Sequence, residues 1–549
     1  GQGVWPTKSR LAKMLKLSPE QVRVTNPDVG GGFGMKGMNY PETFVCAHAA
    51  RVLQRPVRWM SERTEAMLSD NAGRDLTSLA ELAFDENHKM LAYRVTSKCN
   101  LGAYNSQYAQ PIQTELFAKV LMGTYDVQTT WLAVKGVFTN TTQVDAYRGA
   151  GRPEAIFVLE RLMDHAAREL NVDPLALRRK NFIAPDAFPY RSATGEVYDV
   201  GQFAKVLSHA EASADINGFV NRKQKSAMAG KLRGLGLCYY IESILGDKDE
   251  SAKVIFKDDG MVDILVGTQS NGQGHETVFA QFLSDQTGIP ADHIRVVQGD
   301  SDLIARGGGT GGSRSGTVQA NATLQTVAVM QKAFRAFLSD KLDVDADQIV
   351  FDDERFRAPG SNLSPTFLEV ADMARAAGRE DLMQHSAYAV LDSRSFPNGA
   401  HICEVEIDPD TGAVEVARYS VVDDFGNLLN PMLVEGQVHG GVAQGIGQAI
   451  SEHVVYDDQG QLLSASFMDY AVPRAKDVPF YQFETEPLPT TTNVMGMKGC
   501  GEAGTVGALA AVSNAVHDAL SCRGVRQLDM PFTPLRVWEA LNQADVAAE

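Results

Sequence analysis

Residues 26–37 read NPDVGGGFGMKG, and the segment from Gly32 to Gly37 matches the letters GxGxxG. After a buried strand, that pattern is typical of the phosphate-binding turn of a dinucleotide-binding fold. Here Pro27 stands where such a strand would run into the turn, and proline cannot donate a hydrogen bond to a neighbouring strand. The stretch therefore favours a loop that serves another ligand, with a flavin or nicotinamide dehydrogenase as the alternative.

Three more glycine-rich loops follow along the chain. They read AYRGAGRPE at 146–154, GGGTGGSRSG at 307–316 and MKGCGEAGTVG at 497–507. Glycine permits positive φ and lets backbone amides approach a ligand closely. Four such loops with polar flanks predict a large ligand that is held mainly by the backbone.

The composition excludes several classes of function. The 549 residues carry a net charge of −17, which disfavours binding to nucleic acid phosphates. No apolar run is long enough to predict a transmembrane helix, and the start resembles no signal peptide. The six cysteines include no CxxC pair, which predicts reduced thiols and no iron–sulfur cluster on this chain. We expect a cytoplasmic protein, with the periplasm as the alternative.

The hydrophobic pattern predicts a mixed α/β fold. Strands are expected at residues 55–62 and 260–269, and a helix is expected after Pro153. Residues 276–300 predict a helix followed by a strand. The polar, lysine-rich residues 217–234 predict a linker at the main domain boundary, and residues 351–367 predict an irregular surface excursion.

Glu502 is the strongest candidate for acid–base chemistry. It lies between Gly501 and Ala503, in a segment with almost no other charge. A lone carboxylate is usually a surface residue, but an apolar, glycine-lined loop would raise its pKa and suit it to act as a general base. His275, in GQGHET, lacks the second histidine of HExxH, so we expect it to form hydrogen bonds rather than to bind a metal.

Taken together, these loops resemble the large, molybdenum-binding subunit of the xanthine oxidase family, the molybdenum hydroxylases, in the branch of the carbon monoxide dehydrogenase large subunits. The stretches that carry the resemblance occur in family order: DVGGGFGMKG, AYRGAGRPE, GTQSNGQGHET, GTGGSRS, NPMLVEGQVHGGVAQGIG and MKGCGEAG. The resemblance implies a molybdopterin-binding fold of two elongated domains with the cofactor at their interface. Residues 1–225 would form the C-terminal part of the first domain, without its N-terminal portion, and residues 226–549 would form the second.

The resemblance also implies a Mo–molybdopterin cofactor, expected in its cytosine dinucleotide form, with Glu502 as the catalytic base. Molybdenum is expected near Gln2, Phe33, Arg148 and Gly312. The residues expected to bind the cofactor are Gln2, Phe33, Gly34, Arg148, Gly149, Gln273, Gly312, Ser313 and Ser315. The positions expected in the substrate pocket are Gly37, Leu116, Ala150 and Tyr239.

The implied reaction is hydroxylation of an N-heteroaromatic or aldehyde C–H carbon with water as the oxygen source. Electrons would pass to a [2Fe–2S] small subunit and an FAD medium subunit, in a dimer of heterotrimers. Purine-oxidising members carry Glu and Arg at the positions of Gly37 and Leu116, so xanthine is not expected. Carbon monoxide dehydrogenases carry a copper-binding cysteine where Gly149 stands, so a Mo–Cu site is not expected. A non-catalytic fragment of the large subunit remains the second alternative.

Overall fold

A computed structural model describes residues 1–548 of the chain, with side chains up to residue 544. Its helices are α1 (Val4–Leu15), α2 (Pro41–Leu53), α3 (Arg63–Ser69), α4 (Ala109–Pro111), α5 (Arg152–Glu169), α6 (Pro174–Asn181), α7 (Phe203–Ser213), α8 (Phe219–Met228), α9 (His275–Thr287), α10 (Ser315–Leu342), α11 (Phe367–Ala376), α12 (Pro431–Ile450), α13 (Ala503–Ser521) and α14 (Pro534–Ala548). Within residues 1–548, no helix is long and apolar enough to cross a membrane.

The strands alternate with these helices, which confirms the predicted mixed α/β class. They are β1 (Leu76–Phe84), β2 (Met90–Gly102), β3 (Thr130–Phe138), β4 (Tyr190–Arg191), β5 (Val197–Tyr198), β6 (Leu232–Ile241), β7 (Asp249–Phe256), β8 (Val262–Val266), β9 (Ile294–Val297), β10 (Val350–Asp352), β11 (Arg355–Arg357), β12 (Gln384–Val390), β13 (Asn398–Ile407), β14 (Val414–Asp424) and β15 (Tyr481–Thr485). Three of the sheets form the framework: β1-β2-β3, β12-β7-β8-β9 and β15-β14-β13-β6.

Helix α13 positions the site because it lies unusually close to strand β6. A Cβ atom at Gly236 would lie 2.1 Å from the backbone nitrogen of Ala515, and one at Gly234 would lie 2.0 Å from the Ala515 carbonyl oxygen. Only glycine fits these two positions without moving the helix. Almost every residue of α13 is buried. The first residue before this fixed helix is Glu502.

The second sheet supports the loops on the other side of the site. Strand β9 pairs with β8 in parallel, and α9 connects them. The aromatic core under this sheet includes Phe334 on α10, whose ring packs against the tilted ring of Phe367. Helices α9 and α10 begin directly after the loops at residues 267–274 and 307–314, so the packing of this layer fixes both loops.

Several predicted elements are confirmed. The helix after Pro153 is α5, which begins at Arg152, and residues 276–300 fold as α9 followed by β9. The strand expected at residues 260–269 is β8. The irregular surface excursion expected at residues 351–367 is not observed. This stretch begins in the β10–β11 hairpin, and Phe356 is buried against Phe334, so the stretch is part of a core.

Two other predictions are wrong. Residues 55–62 lie outside every strand of the described chain, because Pro56 removes a donor and no neighbouring strand pairs with this exposed stretch. Residues 217–234 are not a linker, because they include helix α8 and the first residues of strand β6. The Arg222 guanidinium lies 2.6 Å from a carboxylate oxygen of Glu404 on β13, which fixes the polar helix to the sheet.

Candidate active site

Gln2 joins the GGGFG loop to the GTGG loop. Its side-chain oxygen accepts from the backbone N–H of Gly34 at 2.9 Å, and its side-chain nitrogen donates to the Thr310 carbonyl at 2.9 Å. The Thr310 backbone N–H donates to the Gln2 carbonyl at 2.7 Å. The structure therefore brings together two of the loops that the sequence analysis singled out, with Gln2 between them.

The backbone of the GGGFG loop has the conformation that its glycines permit. Gly34 has a φ of 104°, and a Cβ atom there would lie 2.5 Å from the Ala146 carbonyl oxygen. Phe33, also at positive φ, is half exposed, and the guanidinium carbon of Arg148 lies 5.6 Å from its ring centroid. Phe33 and Gly34 therefore lie against the AYRG loop.

Arg148 connects the AYRG loop to the loop that carries Glu502. Its Nε donates to the Gly501 carbonyl at 2.6 Å, and its two terminal nitrogens contact Gln437 and Gln444 on α12. The side chain is nearly fully buried. Three segments far apart in the sequence, at residues 146–154, 431–450 and 497–507, therefore share one arginine.

The Glu502 carboxylate is held by three donors. Its Oε1 accepts from the backbone N–H of Gly149 at 2.7 Å. Its Oε2 accepts from Nη2 of Arg152 at 2.7 Å and from the Ser313 hydroxyl at 3.1 Å. The side chain remains about 13% exposed, so it is not fully enclosed by the chain. This is the geometry of a fixed, ionised carboxylate that can accept a proton.

The predicted rise in the pKa of Glu502 is wrong. Burial raises the pKa of this carboxyl, but the positive charge of Arg152 together with the donors from Gly149 and Ser313 outweighs burial, and the net pKa is below the ordinary value. The prediction assumed an apolar loop, and the loop itself is apolar. The arginine that reverses the shift comes from α5, which is 350 residues away in the sequence.

Glu242, which lies directly after β6, was not among the predicted site residues. It is fully buried, and its Oε1 accepts from Nη1 of Arg152 at 2.9 Å and from the Ser313 hydroxyl at 2.8 Å. Burial raises its pKa to about 8 despite the nearby Arg152. The only signal in the sequence is an acidic residue that follows the apolar strand residues LCYYI. Arg152 lies in the AYRGAGRPE loop, but the sequence predicted no role for it.

The loop at residues 267–274 and the GTGG loop form the remaining wall. Gln273 accepts from the Asn271 backbone N–H and donates to the Gln269 carbonyl, so its side chain shapes its own loop. Ser315 shares a 2.8 Å hydrogen bond with the Thr310 hydroxyl at the start of α10. The Gly312 carbonyl accepts from the Leu245 backbone N–H at 2.7 Å, which ties the GTGG loop to the segment after β6.

His275 differs from its prediction. It is buried at the first position of α9, and burial lowers its pKa to about 3, so the ring is neutral. Its Nδ1 has no hydrogen-bond partner among the described residues. The expected hydrogen-bonding role is therefore not observed at this atom. The ring packs instead on Phe279, with 4.8 Å between the ring centroids.

The four predicted pocket positions separate into two groups. Gly37 lies next to Gln2, and Leu116 lies against Gly151 of the AYRGAG loop, next to Ala150. Tyr239 is instead fully buried in the core: its ring packs between Phe182 and Phe203 and its hydroxyl donates to Asn398. The expectation that Tyr239 lines a pocket therefore does not agree with its position, because its side chain points to the aromatic core.

The glycine-rich loops around the site also offer room and hydrogen-bond partners for a ligand. A Cβ atom at Gly30, Gly272 or Gly311 would meet no atom of the described chain within 4 Å. The buried Oδ1 of Asn271 lacks a hydrogen-bond partner among the described residues. Within the described chain, α9 and α10 begin with no side-chain cap, which leaves backbone N–H groups suited to phosphate. These features fit a large, anionic cofactor that contacts backbone.

Comparison with known proteins agrees with this site. Two protein-family models match residues 1–182 and 209–479, and both describe a molybdopterin cofactor-binding domain. The gamma subunit of the 6-hydroxypseudooxynicotine dehydrogenase complex from Paenarthrobacter nicotinovorans is 32% identical over 97% of this chain and 69% of its own length. The carbon monoxide dehydrogenase large chain from Afipia carboxidovorans is 33% identical over 96% of this chain and 68% of its own length.

The chain belongs to the molybdenum-binding subunits of the xanthine oxidase family.

Solved structures of this family have the same fold. Carbon monoxide dehydrogenase from Oligotropha carboxidovorans superposes with a TM-score of 0.93 at 30% identity, covering 100% of this chain and 71% of that one. Quinoline 2-oxidoreductase from Pseudomonas putida 86 superposes with a TM-score of 0.94 at 31% identity, covering 99% and 71% of the two chains. The predicted family, its fold and the class of molybdenum-dependent oxidoreductase are confirmed, and so is a Mo–molybdopterin cofactor. The division into residues 1–225 and 226–549 stays a prediction.

Proposed function

We propose that this chain is the catalytic subunit of a molybdenum hydroxylase that hydroxylates an N-heteroaromatic or aldehyde C–H carbon with oxygen from water. The observation that carries the proposal is the Glu502 carboxylate, which Gly149, Arg152 and Ser313 fix while its side chain stays partly exposed. A general base needs a defined position and an ionised form at working pH, and this carboxylate has both.

The residues around Glu502 supply a place for the cofactor, proposed to be the cytosine dinucleotide form. The metal-bearing end would lie near Gln2, Phe33, Arg148 and Gly312. Gly34 and Gly149 would also border the metal-bearing end, and Gln273, Ser313 and Ser315 would hydrogen-bond the pterin or its dinucleotide tail. When bound, the cofactor supplies the two-electron redox chemistry of the hydroxylation. The uncapped start of α9 or α10 would face the phosphates, since helix N-termini attract anions.

In this proposal Glu502 takes the proton that the water-derived nucleophile loses. The Gly149 amide and Arg152 hold the carboxylate in one orientation, so little reorganisation is needed when it accepts the proton. Arg152 also lowers its proton affinity, which keeps the base ionised at neutral pH. The opposing cost is that a weaker base has a smaller driving force for proton transfer.

The substrate class follows from the pocket positions and from the relatives. Gly37, Leu116 and Ala150 offer no charged anchor, and a site without such groups cannot select a polar purine through them. Similar proteins include one named nicotine 6-hydroxylase large subunit, at 32% identity, and the quinoline 2-oxidoreductase structure. Both names describe N-heteroaromatic substrates. Gly149 provides no thiol for copper, which argues against carbon monoxide as the substrate here.

Electron transfer is proposed to continue to a [2Fe–2S] subunit and an FAD subunit on separate chains, in a dimer of heterotrimers. The relatives support this arrangement, since their names describe a large chain and a subunit gamma of a complex. A cytoplasmic location is proposed for the assembled enzyme.

The test uses the natively assembled complex. Its molybdenum and iron are measured first, and turnover is then assayed with quinoline, isoquinoline and benzaldehyde. Glu502→Gln should lower kcat by at least roughly 10²-fold to 10⁴-fold while molybdenum stays bound, because only the base is removed. Glu435→Gln, a half-exposed glutamate on α12, is the matched control and should keep wild-type turnover.

Three results would oppose the proposal. Full activity of Glu502→Gln would remove this residue from the reaction. FAD or NAD in place of molybdenum would favour a dinucleotide-dependent dehydrogenase. A metal-free, inactive chain after assembly with its partner subunits would favour a non-catalytic fragment.

A further inference from the structure

Glu242 and Glu502 share both of their side-chain donors. Arg152 is fully buried, and its Nη1 lies 2.9 Å from Glu242 while its Nη2 lies 2.7 Å from Glu502. The Ser313 hydroxyl lies 2.8 Å from Glu242 Oε1 and 3.1 Å from Glu502 Oε2. We call these four side chains, Glu242, Glu502, Arg152 and Ser313, the charge cluster.

The hydroxyl of Ser313 cannot serve both carboxylates fully. It carries one hydrogen, and its oxygen already accepts from the Glu502 backbone N–H at 3.1 Å. The shorter contact is to Glu242, so Glu242 draws this donor away from Glu502. Arg152 differs, because it has five N–H donors and reaches Glu242 and Glu502 through different terminal nitrogens, while also donating to the carbonyls of Gly149 and Ser243. The hydroxyl of Ser313, with its single hydrogen, is therefore the donor that Glu242 makes less available to lower the proton affinity of Glu502.

We propose that Glu242 is a positioning residue for the base: by engaging the single hydrogen of the Ser313 hydroxyl, it limits how strongly Ser313 binds Glu502 and keeps that carboxylate basic enough to take a proton. The inference rests on the proposed role of Glu502. Glu242 itself is fully buried and has no proposed contact with substrate or cofactor.

Other groups near Glu242 also affect it. Its Oε2 is buried and has no hydrogen-bond partner within the described part of the chain. Burial raises its pKa to about 8, so the side chain is mostly neutral at pH 7 and ionises as the pH rises past 8. The charged and titratable groups that interact with it are Arg148, Arg152, Tyr240, Cys500 and Glu502.

Three variants of the assembled complex test the proposal through the pH profile of kcat/KM, with whichever of quinoline, isoquinoline or benzaldehyde has the highest kcat/KM. Glu242→Leu releases the Ser313 hydroxyl to Glu502, so the acidic limb should move to lower pH by about one unit and kcat/KM should fall roughly tenfold. Ser313→Ala removes a donor from Glu502, so its acidic limb should move to higher pH. Glu242→Gln keeps a neutral oxygen acceptor and should restore the wild-type acidic limb.

A second readout needs no substrate. Infrared difference spectra of the wild-type complex between pH 6 and pH 9 should show loss of a protonated carboxyl band near pH 8, the pKa of Glu242. Glu242→Gln should lack that band. Molybdenum content and the melting temperature of each variant identify any that fails to fold.

The outcomes separate the two hypotheses. If Glu502→Gln retains activity, the proposed base fails, whereas the infrared band still reports on Glu242. If Glu502→Gln is inactive but folded Glu242→Leu has the wild-type pH profile, Glu242 has no positioning role. Shifts of Glu242→Leu and Ser313→Ala in the same direction would also overturn the inference, since the model of shared donors requires opposite signs.

Discussion

The charge cluster and the glycine loops around it are built in opposite ways. In the cluster, two buried carboxylates share an arginine, and three of their four oxygens accept hydrogen bonds. In the loops at residues 30–34, 270–274 and 307–313, which we call the loop wall, open glycines and the unpaired Asn271 Oδ1 remain. The donors of the cluster all come from this chain, and of its four carboxylate oxygens only Glu242 Oε2 lacks a partner among the described residues. The loop wall has the character of a surface that awaits a ligand, because open glycines leave room beside its unpaired oxygen and buried polar groups are normally paired.

This difference separates chemistry from binding. A carboxylate that is fixed by buried donors of the chain keeps its orientation whether or not a ligand is present. Some backbone amides of the loop wall are already bonded within the chain, as Gly34 is to Gln2, but its open glycines and the Asn271 Oδ1 would gain contacts only from the ligand. Substitutions in the cluster should therefore affect stability and proton transfer, while substitutions in the open part of the loop wall should affect retention of the cofactor.

The largest effect is expected for Arg152→Met. It leaves the Glu242 and Glu502 carboxyls without their shared cation, and removing one partner of a buried ion pair costs about 3–5 kcal/mol. The free energy of unfolding, from urea titration monitored by circular dichroism, measures the loss. Arg94→Met is the control, because Arg94 and Glu81 form a solvent-exposed pair, and such pairs contribute little to stability. Equal losses in the two variants would show that the cluster is not an integral part of the fold.

The sequence predicted the glycine-rich loops and their neighbours better than the charge cluster. Gln2, Phe33, Gly34 and Arg148 lie together as expected, because each glycine-rich loop is a local pattern that can be read without its neighbours. Glu502 was also found. The direction of its pKa shift was not, because Arg152 reaches it from 350 residues away and no local pattern records that contact.

The same limit explains the errors in the fold. Local composition made residues 217–234 look like a linker, because the partner of Arg222 is Glu404, 182 residues away. Tyr239 was expected in the pocket by its place in the sequence. On strand β6, successive side chains point to opposite faces, and this one faces the aromatic core. Burial of Glu242 likewise depends on α5 and the GTGG loop, which the residues around it do not reveal.

An intermediate effect is expected for Gly34→Ala. At a φ of 104°, the added Cβ would lie 2.5 Å from the Ala146 carbonyl, and a strained backbone of this kind costs about 1–3 kcal/mol. Urea titration measures the loss. Gly30→Ala is the matched control from the same loop, since its Cβ meets nothing within 4 Å of the described chain.

The control also tests the difference between the two regions. Gly30→Ala should leave the free energy of unfolding unchanged and still lower the molybdenum content of the assembled complex, because its methyl group occupies space at the loop wall. Normal molybdenum content in Gly30→Ala would place the cofactor elsewhere than over Gly30.

The smallest effect concerns His275, whose ring is buried beside the loop wall. Burial lowers its pKa to about 3 from an ordinary 6.5, so the unfolded chain takes up the proton first as the pH falls. The neutral ring's contribution to the free energy of unfolding is fully present above pH 6.5 and is lost as the pH falls from 6.5 to 3. At pH 5.5 the loss is about 1 kcal/mol. His275→Gln should remove this loss, so its free energy of unfolding should change less than that of the wild type between pH 7 and 5.5. The exposed His293→Gln is the control and should keep the wild-type pH dependence. If His275→Gln keeps it too, the ring is protonated or solvated in the folded chain, and this edge of the loop wall is open to water.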